Sequence, residues 1–251
     1  MNSDGRELQI KHDAIPGYMP AMTMPFEVRG TNRPIGLAPG DRVSFRMIVT
    51  DKEGWIDQIQ KLEALATPPT TGAFRMVRDV QPLKVGDVVA DAQLINQFGQ
   101  PIRLSQFRGQ ALAITFIFTR CPFPTFCPLT ANHFAEAQQK LLALPHAPTN
   151  WHLLTVSFDP AFDKPAVLKA YAQGYQYDPD HWSFATGELI DITALADQFG
   201  CVFWHDESGS LSHNLRTAVV DPMGRVQRIF PGNGWTSDDL VTVLLKVATQ
   251  K

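Results

Sequence analysis

Residues 111–130, ALAITFIFTRCPFPTFCPLT, decide how the rest of the chain is read. The run from Ala111 to Phe118 is apolar without a break, the pattern of a strand buried on both faces. It is far shorter than the roughly 18 residues that a membrane span needs. Pro128 suits the first position of a helix. The segment therefore predicts a strand, a loop and a helix, with Cys121 and Cys127 at the corner. Such a corner lies at the carboxyl edge of a sheet, where helix amides and the helix dipole favour a thiolate. Five residues separate the cysteines, so this is not a Cys-x-x-Cys pair. On one continuous helix the two would point apart, so Pro122 and Pro124 predict a looped excursion that returns one sulfur to the other. Two soft thiolates suit Cu(I), and they can also close a disulfide. Passive packing, the plain alternative, fits poorly with three prolines at the corner.

Working outward, strands and helices alternate from Val85 onwards. Leu94 to Leu104 reads as a hairpin about Phe98-Gly99. The helix after Pro128 places Ala131, Phe134, Ala135, Leu141 and Leu142 near one face, interrupted by Gln138. Trp151 to Phe158 is a second buried strand. Asp163 is expected to cap a helix holding Pro165, with Val167, Ala170 and Tyr171 inward. Asp191 is expected to cap another, with Ile192, Leu195, Ala196 and Phe199 inward and Gly200 ending it. Leu215–Val220 and Val226–Phe230 flank the turn Asp221-Pro222-Met223-Gly224. A last helix carries Leu240, Val243, Leu244 and Val247. This order is that of a thioredoxin-like α/β fold. On such a sheet His213, just ahead of Leu215, approaches the cysteine corner and offers an imidazole to complete a copper site. His205 is the alternative; His133, His146, His152 and His181 read as surface or packing residues. Cys201 reads as buried filler.

Before Ala66 the pattern is different. Val43, Phe45, Met47 and Val49 alternate with Ser44 and Arg46, the period of a half-buried strand. Glu7–His12, Met22–Val28 and Trp55–Leu62 are further strand candidates, which together make a small all-β barrel or sandwich. Residues 66–73, ATPPTTGA, read as a linker. Three of the seven methionines are Met19, Met22 and Met24. Met22 and Met24 are two apart and share a strand face, and His12 precedes them across the Pro16-Gly17 corner. Thioethers with one imidazole favour Cu(I) or Ag(I) over zinc. A methionine-rich core patch is the equal alternative.

Composition narrows the classes. The chain has 251 residues, a net charge of -3 and 44% hydrophobic residues, which argues against disorder over most of its length. No basic block favours nucleic acid or an anionic membrane as the main partner. No apolar run is long enough for a transmembrane segment. Three cysteines cannot build a disulfide framework.

The motifs FIFTRC…CP, SFDPAFDKP (157–165), WSFATG (182–187) and LSHNLRTAVVDPMG (211–224) resemble the Sco/SenC family of copper-binding, thioredoxin-like assembly factors for cytochrome c oxidase. The resemblance implies copper, Cu(I) and Cu(II), held by Cys121, Cys127 and His213. It departs from the family in spacing, which is usually three residues between the cysteines. Asp159, within SFDP, is a candidate for supporting the site. The segment KHDAIPGYMPAMTMPFEV (11–28) is similar to the CusF family of periplasmic copper and silver carriers, five-stranded OB-like barrels with a histidine, two methionines and a capping tryptophan. His12, Met22 and Met24 match those ligands, and Met19 stands near the tryptophan's place, where a third thioether replaces the cap. The family's first strand precedes Glu7, so the expectation is a barrel completed differently or a chain cut inside its first domain.

The resulting organisation is a CusF-like barrel over residues 1–65, a linker over 66–80 and a Sco/SenC thioredoxin-like domain over 81–251. The expected function is an exported, periplasmic copper chaperone, membrane-anchored in its precursor, that delivers copper to the dinuclear copper site of an oxidase subunit. The alternatives are a thiol–disulfide oxidoreductase, with Cys121 attacking, Cys127 resolving and a thioredoxin-like reductant as partner, and copper sequestration for resistance.

Overall fold

Among the described residues of the N-terminal part are the strands β1 (Glu7–His12), β2 (Met22–Glu27), β3 (Val43–Val49) and β4 (Gly54–Lys61). The computed structural model describes residues 7–12, 22–29, 36–49, 54–62, 81–146, 148–205 and 211–249. Met19, the Pro16-Gly17 corner and the linker at 66–80 lie outside the described residues. β1 pairs antiparallel with β2 and β3 with β4, and a parallel bridge from Val28 to Ile56 joins the hairpins. Leu8, Ile10, Phe26, Ile56 and Ile59 are buried. Phe26 meets Phe45 at 5.1 Å between ring centres. The alternation read along β3 is present, with Ser44 and Arg46 exposed between less accessible neighbours.

The larger unit, drawn from residues 79–203 and 213–251, is a layered α/β structure. A hairpin of β5 (Gln93–Asn96) and β6 (Pro101–Arg103) forms one edge of its sheet. The central strands are β7 (Ala111–Ile117), β8 (Trp151–Ser157) and β9 (Trp182–Thr186), parallel to one another. Helix α1 (Cys127–Ala143) connects β7 to β8, α2 (Pro165–Gln173) connects β8 to β9, and α3 (Leu189–Gln198) follows β9. A short ladder of β10 (Phe203–His205) and β11 (Leu211–His213) comes next. β12 (Arg216–Val220) returns antiparallel to β7, β13 (Val226–Pro231) pairs with it, and α4 (Ser237–Ala248) closes the chain. The sheet order is β13-β12-β7-β8-β9-β5-β6.

Every position of β7 and β8 is buried, as a strand covered by helices on both faces requires. Phe134, Leu153, Trp182, Phe184, Leu240 and Leu244 are fully buried. The Trp182 indole N–H donates to Thr155 Oγ1 at 2.9 Å, so burying this ring strands no donor.

Four details correct the sequence reading. Asp163 does not cap α2, whose N-cap is Lys164; its carboxylate is drawn inward by Thr119, just past β7, and by Ser157 at the end of β8. Asp191 lies inside the first turn of α3, and Glu188 is the N-cap. On α1, Leu142 is 51% exposed while Gln138 is buried. Gln138 is tolerated because its amide donates to the Gln176 carbonyl and accepts from the Asp178 N–H. On α2 the inward residues are Leu168 and Ala172, with Tyr171 partly buried, whereas Ala170 is exposed.

Candidate metal centre

The Cys121 loop leaves the carboxyl end of β7, and α1 begins at Cys127 with Pro128 in its first turn. The loop is held at several points. Cys121 N–H donates to the Phe118 carbonyl at 3.2 Å, Phe126 N–H to that of Phe123 at 3.1 Å, and Asn233 Nδ2 to that of Thr125 at 2.7 Å. Phe123 is buried and meets Phe126 at 5.3 Å. The excursion that the prolines predict therefore has an apolar interior of its own.

His213, the last residue of β11, arrives from the other side. Sγ of Cys121, Sγ of Cys127 and a ring nitrogen of His213 all lie within 4.8 Å of one another. His213 Nε2 is 3.7 Å from Cys127 Sγ, and Nδ1 is 2.9 Å from the Asn214 carbonyl. A carbonyl only accepts, so Nδ1 carries a proton, and when the ring is neutral Nε2 turns a lone pair towards the sulfurs. Phe118 meets the imidazole edge-on at 5.6 Å and Phe158 at 4.8 Å, which fixes the plane of the ring. All three cysteines are free thiols.

The two site thiols differ in acidity. Burial opposes ionisation of Cys121, but hydrogen bonds with Cys127 and His213 and the imidazole's charge outweigh it and bring the thiol down to about 5. Burial and then the neighbouring Cys121 sulfur push Cys127 well above the ordinary thiol value. The pair thus loses its first proton early and its second late. Burial pushes Cys201 up to about 12.

Behind the corner, Asp163 is fully buried and accepts from Thr119 N–H at 2.9 Å and from the hydroxyls of Thr119 and Ser157. Arg120 pairs with the buried Asp159 at 2.6 Å and lies 4.1 Å over the Phe162 ring. The SFDPAFDKP segment thereby grips the two residues ahead of Cys121. Asp159 was legible as a supporting residue; Asp163 was not, because Pro165 made a helix cap the simpler reading.

In the N-terminal unit, His12 is 7% exposed and its ring meets Phe26 edge-on at 5.7 Å. The β1–β2 register sets His12 opposite Met22 and Ile10 opposite Met24. His133, read as surface or packing, lies against Trp235 at 4.8 Å. His181 stacks on Trp151 at 4.1 Å, and His152 is buried beside Phe107 at 4.8 Å.

A parallel three-strand centre flanked on each side by an antiparallel pair, with two thiols just beyond the end of its first parallel strand, defines a thioredoxin-like protein. Its corner also holds an imidazole. A family model described as SCO1/SenC matches residues 81–249, and the chain belongs to that family. A second model, described as copper binding periplasmic protein CusF, matches residues 1–61. The SCO1 protein homolog of Bacillus subtilis is 30% identical over 160 residues, covering 62% of this chain and 80% of the relative. A SCO1/SenC family lipoprotein from Bacillus anthracis is 28% identical with a TM-score of 0.56, covering 67% of this chain and 98% of that one. BsSco, described with a disulfide switch and as one of the Sco family of cytochrome c oxidase assembly proteins, is 29% identical with a TM-score of 0.56, covering 69% and 99%.

Proposed function

We propose that the chain is an exported copper chaperone that binds copper through Cys121, Cys127 and His213 and hands it to the dinuclear copper site of a cytochrome c oxidase subunit. The observation that carries this reading is the convergence of two sulfurs and one imidazole nitrogen within 4.8 Å. Two thiolates and a neutral imidazole are soft enough for Cu(I) and serve Cu(II) as well. Membership of the SCO1/SenC family and the assembly role stated for BsSco support the oxidase partner. The lipoprotein relative and the periplasmic CusF match support export and a membrane tether.

In the same reading, residues 1–65 form an OB-like barrel, 66–80 a linker and 81–251 the thioredoxin-like domain. The barrel carries Cu(I) or Ag(I) on His12, Met22 and Met24, with Met19 as a further thioether. The pairing of His12 with Met22 in the β1–β2 register supports it. Two soft sites on one chain motivate a relay from the methionines to the cysteines.

Anaerobic titration of Cu(I) and Cu(II) into the wild type and Cys121→Ser tests the main site. One equivalent of Cu(II) with a sulfur charge-transfer band, lost in the variant, is the expected result; an unchanged band refutes the site. For the relay, slower loading of the cysteine site in the Met22/Met24 double variant under limiting copper is expected, and unchanged loading counts against it.

The low acidity threshold of Cys121 beside a still-protonated Cys127 favours a second reading, thiol–disulfide exchange. The Cys121 thiolate would attack a partner's disulfide and Cys127 would displace the mixed disulfide. The partner gains two electrons and this chain is left with a Cys121–Cys127 disulfide, which a thioredoxin-like reductant restores. His213→Ala tests this second reading: disulfide exchange that persists without copper binding favours it.

A further inference from the structure

Asn214 is joined to its surroundings by more bonds than a turn residue needs. Its side-chain oxygen accepts from Val202 N–H at 2.8 Å, and its amide donates to the Gly200 carbonyl at 2.9 Å. Its own N–H donates to the Val202 carbonyl at 3.0 Å. These three bonds lock the backbone after His213 to the turn that leaves α3. That turn has little freedom, since Gly200 sits at φ +69° and a Cβ there would lie 3.2 Å from Pro82.

The locked segment presents one carbonyl to two donors. The Asn214 oxygen accepts from His213 Nδ1 at 2.9 Å and from Cys201 Sγ at 3.8 Å. A neutral imidazole has one N–H, so engaging Nδ1 leaves Nε2 as the bare nitrogen that faces Cys127 Sγ. If this carbonyl turned away, the sulfurs beside Nε2 would draw the proton to that nitrogen, because Phe118 and Phe158 hold the ring's plane and not its proton. Cys201 thus has a place beside the site that filler does not require.

We propose that Asn214 is the positioning residue of the metal centre: by anchoring its carbonyl to the Gly200–Val202 turn, it holds His213 in the Nδ1–H form with Nε2 aimed at the sulfurs. The benefit to the metal rests on the copper-binding reading above, but the tautomer does not. An outer partner that fixes an imidazole ligand typically contributes about 10–100-fold in metal affinity.

The test is a long-range ¹H–¹⁵N correlation on the metal-free, ¹⁵N-labelled full chain at mildly alkaline pH, for the wild type, Asn214→Ala and Asn214→Asp. In the wild type His213 is expected as the Nδ1–H form. Asn214→Ala is expected to shift it towards the Nε2–H form and to weaken Cu(II) binding about 10–100-fold in a chelator competition. Asn214→Asp keeps the acceptor for Val202 N–H but sets a carboxylate oxygen against the Gly200 carbonyl in place of a donor, and is expected to give a smaller shift in the same direction as Asn214→Ala. A wild-type spectrum of the Nε2–H form overturns the proposal, as does a folded Asn214→Ala with unchanged tautomer and affinity. Should Asn214→Ala fail to fold, the wild-type and Asn214→Asp spectra still decide. A wild type that takes up no copper while its tautomers behave as expected refutes the copper reading and leaves the positioning role standing.

Discussion

The two soft-ligand regions are assembled in opposite ways. In the N-terminal unit, His12 and Met22 are paired positions of one β1–β2 ladder, set opposite each other by a single hairpin register. At the cysteine corner, Cys127 and His213 are 86 residues apart, one opening α1 after β7 and the other ending β11, a strand outside the seven-stranded sheet. The N-terminal site proposed above would depend on strand register, where a one-residue slip sends every side chain to the other face. The corner depends on distant segments and on the carboxylates and carbonyls that lock them. It also carries ionisable sulfurs, whereas thioethers bring no charge. One region is set by a ladder, and the other by a fold.

The sharpest way to break the comparison is to remove one sulfur. Cys127→Ser is expected to lower copper affinity at the corner by at least about a thousandfold, because a hydroxyl does not replace a thiolate as a soft ligand. Silver binding by the N-terminal unit should be unaffected, and calorimetry with each ion checks both halves. The converse experiment is Met22→Leu with Met24→Leu, which keeps volume and removes both thioethers. A loss of about a hundredfold in Ag(I) affinity is expected there, with the sulfur charge-transfer band at the corner unchanged.

A pH experiment reaches the larger fold without touching either site. His152 on β8 is buried, with Nε2 2.9 Å from Ser183 Oγ. Burial, followed by the charge of His181, brings it from 6.5 down to about 4, while Asp178 and the backbone at Asp180 act weakly the other way. Above pH 6.5 both folded and unfolded chains keep this ring neutral. Below it the unfolded chain takes up a proton that the folded one refuses. Stability is therefore lost as pH falls from 6.5 towards 4, by at most about 1.4 kcal/mol per pH unit and about 3 kcal/mol in all. Denaturant melts of the wild type and His152→Gln across that range should differ in slope, and equal slopes would refute the assignment.

Much of this was legible in the sequence for a physical reason. β7 is apolar but for Thr115, and β8 is buried along its whole length although it carries His152, Thr155 and Ser157, so burial on both faces leaves a strong imprint. The thiols could be placed because prolines punctuate the chain on either side of them. His213 was legible through the strand that follows it. What escaped was the hydrogen bonding of polar residues, which has no period. Asp163 beside Pro165 looks like a helix cap, Gln138 like a break in an apolar face, and Asn214 like an ordinary turn residue. Each finds its partners on segments far away in the chain, at Thr119, Gln176 and Gly200. No local pattern carries that information.

Asp163 offers the finest test of the difference between the regions. It is fully buried and binds neither sulfur nor imidazole, yet it fastens Thr119, two residues before Cys121, to Ser157 at the end of β8. Asp163→Asn keeps the shape but turns one acceptor into a donor, which then faces the Thr119 N–H or a hydroxyl that donates already. An unsatisfied buried donor of this kind costs about 1–3 kcal/mol. The larger unit should melt earlier by that amount, and copper affinity at the corner should fall several-fold as the loop before Cys121 loosens. Silver binding in the N-terminal unit should stay as it is. A variant that melts earlier but binds copper with full affinity would mean that the loop is held by its own prolines and by Phe123, and that the corner is more local than its topology implies.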